Sequence, residues 1–521
     1  MNRRRIIVLF VALLLIAVSW WGVVAAKTGL VVRNLERDRI PMLYVAPGQG
    51  KNIPGVLIAH GFAGSKQLML GYAYVLAHGG YAVMLWDFGG HGANTQPLER
   101  SSLQHGLEIA REALLEQPEV DPTRLALLGH SMGSGAVMSA AIAQRDRFAA
   151  TIAISPTGAA VTPESPRNLQ LQAGSWEPRF VANAGRLLQQ AGGENQNLAE
   201  GRGRSFVIVP NVEHITILFK NVSHQVARQW LNNTFGIYST SSYLDRRIVW
   251  YGLHLLAWLL LLFAVAPILN QVAFSHREPK ALLAETWGQG DLGTRGEFRQ
   301  LPITNYQSKI QNLKSKISTP VREWGGLLLA PLVATGVLGA IASMAEIQSL
   351  GGVLVGGAVG IWFCVAGLVW WGAIARLPRP TLVALGLGVA LFILLWVAFG
   401  AMAQEVWLQW WLIPARLQLW LLLSLLCFPW FLASGLAQQK AEIGDRLMWW
   451  LGQSFVLVVG FFLTLQFLPQ LSFIFLLLPL FPIFTAMFSV VAAMLKPVWS
   501  YALGCALFFG WVLAAAFPLA S

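Results

Sequence analysis

Ser131 sits in Gly129-His130-Ser131-Met132-Gly133, a G-x-S-x-G pattern. The apolar run Leu125 to Leu128 precedes it, and the small, helix-tolerant residues Ser134 to Ala141 follow. Strand, sharp turn and helix is the context in which this pattern means an exposed nucleophile on a strained turn. Such a turn needs small neighbours, which Gly129 and Gly133 provide, and it lifts the Ser131 hydroxyl to the N-terminus of a helix. A serine hydroxyl needs a base at neutral pH. In this chain order the base belongs in a loop after the last strand, and His214 follows Phe206 to Pro210 in that way. A third group must orient the imidazole. Between Ser131 and His214 the only Asp is Asp146, in the charged turn Arg145-Asp146-Arg147, which reads as solvated surface. Glu177 is better placed, in the turn Gly174 to Pro178 after the alternating stretch Asn168 to Ala173. Trp176 beside it is a candidate for packing over the site.

A developing oxyanion needs two aimed donors. The backbone N–H of Met132 is one. The loop His60-Gly61-Phe62-Ala63-Gly64, after the strand Gly55 to Ala59, supplies the other through the N–H of Phe62. The reading gives His60 a bracing role, and Asp87 and His91, in the glycine turn Asp87 to Gly92, a role in organising loops. His224 falls inside the closing helix and reads as a surface or capping residue.

These side chains need a scaffold, and residues 28–243 are the one long stretch of ordinary globular composition. Apolar strands at Leu30 to Leu35, Pro41 to Val45, Gly55 to Ala59, Tyr81 to Trp86, Leu125 to Leu128, Ala149 to Ile154, Leu169 to Ala173 and Phe206 to Val209 alternate with helical stretches. The helices are expected over Leu68 to His78, Leu103 to Glu116 and Ser223 to Asn232. That alternation predicts an α/β fold, a mostly parallel sheet with helices on both faces.

Composition excludes a purely soluble protein. The chain is 55% hydrophobic and only 12% charged, with a mean hydropathy of +0.55. An N-terminal apolar run, Ile6 to Ala26, follows Arg3, Arg4 and Arg5. Its 21 residues favour a signal anchor in 1–27, while Val24-Ala25-Ala26 leaves a cleaved signal peptide as the alternative. Further apolar runs lie at 248–269, 325–344, 350–375, 381–402, 417–436, 447–468, 471–494 and 498–518. The division expected is an anchor (1–27), the α/β domain (28–243), one span (244–270), a cytoplasmic loop (271–324) and an all-α transmembrane bundle of about seven helices (325–521). In the loop, Ile310, Leu313, Ile317 and Val321 form an apolar stripe. It reads either as a helix lying on anionic lipid or as a solvated linker.

The net charge of +12 reads as topology rather than as nucleic-acid binding, since no basic patch interleaved with aromatics is present. Arg277, Lys280, Arg295, Arg299, Lys309, Lys314, Lys316, Arg322, Arg376, Arg379, Lys440, Arg446 and Lys496 fall in loops assigned inside. The short outside loops hold Glu346, Glu405 and one basic residue, Arg416. The α/β domain is therefore placed on the extracytoplasmic side of a multi-pass membrane protein, and a bacterial inner membrane fits. Arg246 and Arg247 run against this trend. The stretch Ala403 to Arg416 is either an interfacial helix or part of a span. His254 reads as interfacial, and the 22 Trp read as interface belts. The three cysteines, Cys364, Cys427 and Cys505, all lie in the apolar half. This predicts no disulfide and no cysteine metal site in the α/β domain, and no cofactor is called for.

Together, H-G-F-A-G-S-K at 60–66, D-F-G-G-H-G at 87–92, G-H-S-M-G at 129–133, Glu177 and His214 resemble the α/β-hydrolase superfamily in type and order. Asp121-Pro122-Thr123-Arg124 resembles its dienelactone-hydrolase and prolyl-oligopeptidase-like branches. The resemblance covers residues 28–243. It implies an eight-stranded sheet and serine hydrolysis through an acyl-enzyme, with Glu where Asp is commoner and no large lid domain between the Ala149 and Leu169 strands. The membrane half resembles no family. The expected function is a membrane-anchored serine hydrolase of carboxylic esters, with an ester, acyl or lipid substrate and membrane lipid as its surroundings. A serine peptidase and a catalytically silent membrane scaffold are the alternatives. The latter is weighed against a transporter, whose pathway would place ionisable residues at mid-membrane depth.

Overall fold

The computed structural model describes residues 3–238, 241–275, 304–439 and 441–520. Eight strands form one sheet in the order β1-β2-β4-β3-β5-β6-β7-β8. They are β1 (Leu30–Arg37), β2 (Ile40–Pro47), β3 (Ile53–Ala59), β4 (Ala82–Trp86), β5 (Val120–His130), β6 (Ala150–Ile154), β7 (Leu169–Gly174) and β8 (Arg204–Val209). β1 and β2 form an antiparallel pair, β2 meets β4 antiparallel, and every other pairing is parallel. The central strands β4, β6 and β7 are buried at every position, whereas the edge strand β1 has no fully buried residue. This is why the central strands read as unbroken apolar runs: both of their faces are covered by helices. β5 is longer than its apolar core suggests. It takes in Asp121 to Arg124, where Asp121 Oδ1 accepts from the Thr123 N–H at 2.9 Å and hydroxyl at 2.7 Å.

The chain order reverses direction across β3, with β4 on one side and β5 on the other. Such a switch point opens a crevice at the carboxyl ends of the strands. The register pairs Ala59 with Gly129, so His60-Gly61 and His130-Ser131 leave the sheet side by side. The helices packed on the sheet are α2 (Leu70–His78), α3 (Arg100–Leu115), α4 (Met132–Ala143), α5 (Pro178–Gln190) and α6 (Asn221–Phe235). The sequence reading does not include α5. Proline in its first turn suits a helix start, where the missing N–H costs nothing.

Among the described residues, eight helices are long and apolar enough to cross a membrane. They are α1 (Arg3–Val24), α7 (Arg247–Ser275), α8 (Thr304–Ala342), α9 (Gly356–Ile374), α10 (Leu382–Leu395), which continues through a wider turn into α11 (Met402–Val406), α12 (Pro414–Gln438), α13 (Ile443–Phe467) and α15 (Val498–Ala516). A ninth span expected over 471–494 is broken instead. A tight helical stretch, Pro469–Leu477, meets α14 (Leu480–Met494) at a 59° bend. Around the connection expected over 271–324, α7 runs to Ser275, and α8 begins at Thr304 and continues into the apolar stretch Val321–Ala342. Arg277, Lys280, Arg295, Arg299 and Lys440 lie outside the described residues, as do the side chains of Lys309, Lys314, Lys316 and most of the apolar stripe. Ala403 to Val406 belongs to the long apolar helix Leu382–Val406, and a short link joins it to α12.

Trp362, Trp370, Trp410 and Trp430 are buried in the helix bundle. The ring of Trp362 stacks on Phe461 at 4.4 Å, which shows what these indoles do: they fill the core. His254 is also buried, edge-on to Trp20 at 6.0 Å and to Trp258 at 6.1 Å.

Of the arginines on the side assigned outside, Arg246 is exposed, whereas Arg247 and Arg416 are buried. Arg247 is paired with Asp245, donating from Nε at 2.8 Å and from its terminal nitrogen at 2.7 Å. Arg416 has no carboxylate. Its guanidinium donates to four backbone carbonyls: Gly90 at 2.7 Å, Gly92 at 3.0 Å, Phe517 at 2.7 Å and Ala514 at 2.5 Å. Two of these belong to the α/β domain and two to the end of α15 and just beyond it, so a single side chain joins the two halves. The Leu519 N–H adds a bond to the Gly90 carbonyl at 2.8 Å. Truncation would leave several buried acceptors unpaired, each costing about 1–3 kcal/mol. Arg416→Ala is expected to destabilise the protein by at least about 3 kcal/mol, read as a lower melting temperature in detergent micelles. Arg416→Lys should recover only part, because a single ammonium cannot span four carbonyls.

Candidate active site

Ser131 follows the last residue of β5 with φ 52° and ψ −119°, a conformation side-chain-bearing residues rarely adopt. The turn is possible only with glycine on both sides. A Cβ on Gly129 would lie 2.3 Å from the Gly133 carbonyl oxygen, and one on Gly133 would lie 2.5 Å from that of His60. The Ser131 N–H donates to the Ile154 carbonyl at 2.9 Å, which ties the turn to β6.

The structure brings three of the expected side chains into one line. Ser131 Oγ is 3.0 Å from His214 Nε2, and His214 Nδ1 is 2.6 Å from Glu177 Oε1. Glu177 and His214 are buried, and Ser131 is partly open. Glu177 is held on its other oxygen by the Gly174 N–H at 2.6 Å and the Ser155 hydroxyl at 2.9 Å. With Nδ1–H donating to the carboxylate, His214 turns an acceptor nitrogen towards the Ser131 hydroxyl. Phe180 of α5 stacks on the imidazole at 4.4 Å, and His130 donates from Nε2 to the His214 carbonyl at 2.9 Å. Ser155, Phe180 and His130 thus support the line, and the sequence reading gave none of them this role. Phe180 lies on the unexpected helix α5, three residues after Glu177. Ser155 directly follows β6, which is the only clue the sequence offers to it.

Asp146 is not brought here. It is exposed at the far end of α4, a helix about 18 Å long that starts beside Ser131. Trp176 is 64% exposed and covers nothing. His224 is neither a surface nor a capping residue. It is buried, packs edge-on to Tyr72 and bonds the Leu218 carbonyl at 2.8 Å.

The loop carrying Phe62 runs beside the elbow. A Cβ on Gly61 would sit 3.1 Å from Ser131 Cβ. Among the described residues, neither the Phe62 nor the Met132 N–H donates a backbone hydrogen bond in the turns, so both remain available. The loop is braced from beneath. His60 Nδ1–H donates to the Gly61 carbonyl at 2.7 Å, and its Nε2 accepts from the Phe88 N–H at 3.0 Å. Asp87 accepts from the Lys66 backbone N–H at 2.8 Å, from Lys66 Nζ at 2.5 Å and from the Ala93 N–H at 3.0 Å. Burial alone would raise the Asp87 carboxyl, but the Lys66 ammonium prevails and holds it below its usual range. Lys66, with only 6% of its surface exposed, is a further residue that sequence reading did not single out.

Residues 51–199 match the model of a family described as serine aminopeptidase, S33. The domain has the α/β-hydrolase fold. Two uncharacterized proteins, from two strains of Mycobacterium tuberculosis, are each 27% identical over 209 residues, covering 37% of this chain and 74% of theirs. Among solved structures, the chain is similar to esterase Est22 at 16% identity and a TM-score of 0.33, covering 40% of this chain and 82% of that one. It is also similar to a dienelactone hydrolase from Anabaena variabilis at 18% identity and a TM-score of 0.30, covering 39% and 97%.

Below these loops, His91 is fully buried, and its Nε2 has no hydrogen-bond partner among the described residues. Burial, helped by neighbouring His60, pushes its pKa down to about 3. It is therefore neutral when folded at pH 5, whereas the unfolded chain takes up a proton below about 6.5. Stability due to this residue is complete above that value and is lost as pH falls towards 3, by about 2 kcal/mol at pH 5. The melting temperature is expected to drop between pH 7 and pH 5, and to drop less in His91→Asn.

Proposed function

We propose that the protein is a membrane-anchored serine hydrolase that cleaves carboxylic esters through an acyl-enzyme. The observation that carries this reading is the line from Ser131 Oγ through His214 to Glu177, with links of 3.0 and 2.6 Å, at the switch point of the sheet. In the first step His214 Nε2 takes the hydroxyl proton as Ser131 Oγ bonds to the ester carbonyl carbon. The Met132 and Phe62 N–H groups receive the oxyanion, the former with the help of the α4 dipole. The C–O bond to the alcohol then breaks, and the alcohol leaves with the proton from His214. Water repeats the sequence on the acyl-enzyme, releasing the acid and restoring Ser131. Glu177 holds the imidazole in the tautomer with hydrogen on Nδ1 and stabilises its cation.

The placement we propose has the hydrolase domain outside the cytoplasm, anchored by α1 and by the bundle that starts at α7, in a membrane such as a bacterial inner membrane. The basic residues of Arg376, Arg379 and Lys496, between spans on the opposite side, support it. The substrate proposed is an acyl ester, lipid or envelope components included. The family match favours one second reading, a peptidase, because the same site attacks amides.

Labelling of intact membranes with a fluorophosphonate tests the site. Wild type is expected to label, and Ser131→Ala and His214→Ala not to label at all. Glu177→Gln should lose about 10³-fold or more in kcat/KM by disturbing the tautomer. A folded wild type that never labels would overturn the hydrolase reading. Turnover of aminoacyl amides in preference to esters would select the peptidase.

A further inference from the structure

The membrane half reaches the loop that carries the second oxyanion donor. The Phe62 ring packs edge-on to Phe473 at 4.9 Å and to His91 at 5.6 Å. Phe473 belongs to the tight stretch Pro469–Leu477 that interrupts the last-but-one span. Such a stretch has three residues per turn and hence three faces. Leu471 and Ile474 form the face buried in the bundle, each with no exposed surface. Ser472 and Phe475 form the outward face, Phe475 being 60% exposed. Phe473 occupies the third face and points at the hydrolase domain. Behind it lies Phe517 at 6.2 Å, in the same C-terminal stretch that Arg416 and Leu519 tie to Gly90. The bundle is thus locked against this side of the site, and the break in the span is where it supplies a side chain to it.

Resting on the serine-hydrolase reading above, we infer that Phe473 is a specificity-determining residue of that site. It extends the wall begun by Phe62, and the substrate is an amphiphilic ester with a long apolar chain lying against both rings. A carbonyl held by the Phe62 N–H has its chain beside the Phe62 ring, and the next surface along is Phe473, then Phe517. The rings meet edge-on in sequence, Phe62 on Phe473 and Phe473 on Phe517. Such a wall rewards apolar length and offers nothing to a short or charged group.

The test uses the full chain in detergent micelles and two probes, p-nitrophenyl acetate and p-nitrophenyl decanoate, with fluorophosphonate labelling of Ser131 run on every variant. The readout is the ratio of kcat/KM for decanoate to that for acetate. Wild type is expected to prefer decanoate, and Phe473→Ala to lower the ratio about tenfold. Phe455→Ala, which truncates a lipid-facing ring of α13, should leave the ratio within about twofold. Should Phe473→Ala fail to fold, Phe473→Leu is expected to lower the ratio by a smaller factor. A labelled wild type whose ratio is unchanged by substitution at Phe473 overturns this inference and leaves the hydrolase reading standing. A wild type that does not label overturns both.

Discussion

The constraint on which the site depends is the contact between the turn after β5 and the end of β3. Backbone meets backbone there, with room for hydrogen but not for a methyl at Gly133, which faces the Ala59 and His60 carbonyls, while Gly129 lets the turn close on Gly133 itself. That approach forces Ser131 to positive φ, at a cost of about 1–3 kcal/mol. It also places Gly61 against Ser131 Cβ, so one packing event aligns the nucleophile and the loop of the second donor. The strained turn is held by bonds on both sides, the Ser131 N–H to Ile154 at 2.9 Å and the Ser134 hydroxyl to the Ser131 carbonyl at 2.5 Å. The parallel register of β5 and β6 supplies Ile154, and the first turn of α4 supplies Ser134, so sheet and helix together hold the strain.

A second layer beneath the site solves a different problem. Loops at the carboxyl edge of a sheet must be buried without leaving polar groups unpaired. His60 does this by donating with one nitrogen and accepting with the other, which requires it to stay neutral, and its burial lowers its pKa to suit. Asp87 and Lys66 do it as an ion pair with backbone donors filling the remaining acceptor positions. A buried pair of this kind adds little net stability against its desolvation cost. Its consequence is geometric: it holds the loop of β3 to the loop of β4, and Arg416 then holds the loop of β4 to the bundle.

Much of this was legible in the sequence because it depends on local rules. Period and length disclosed the eight strands, and the elbow's glycines disclosed the turn at Ser131. Chain order pointed to His214 and to Glu177, the two residues now found in line with it. What was not legible depends on pairing across the fold. Lys66 looks like a surface lysine until Asp87 is placed beside it, and Ser155 has no signature beyond the end of a strand. His224 sits on an ordinary amphipathic helix, and only the packing of α2 against α6 buries it. The bend after Pro469 was missed for a related reason. Its residues are as apolar as those of a straight span, so hydropathy cannot see a break whose backbone is satisfied within the protein.

Arg247 and Arg416 show where charge bookkeeping and folding part company. The positive-inside rule concerns cations that remain solvated in short loops. Arg247 is neutralised by Asp245, and Arg416 is sequestered by four carbonyls, so neither presents a free charge to water or to lipid headgroups. Set aside on that ground, they leave Arg246 as the one exposed exception at this end of the bundle among the described loop residues. The charge asymmetry that supports an extracytoplasmic hydrolase domain is therefore stronger than a raw count suggests. Both exceptions have the same cause: each arginine lies where the two halves of the chain meet, a junction that needs long, multidentate donors buried among backbone acceptors.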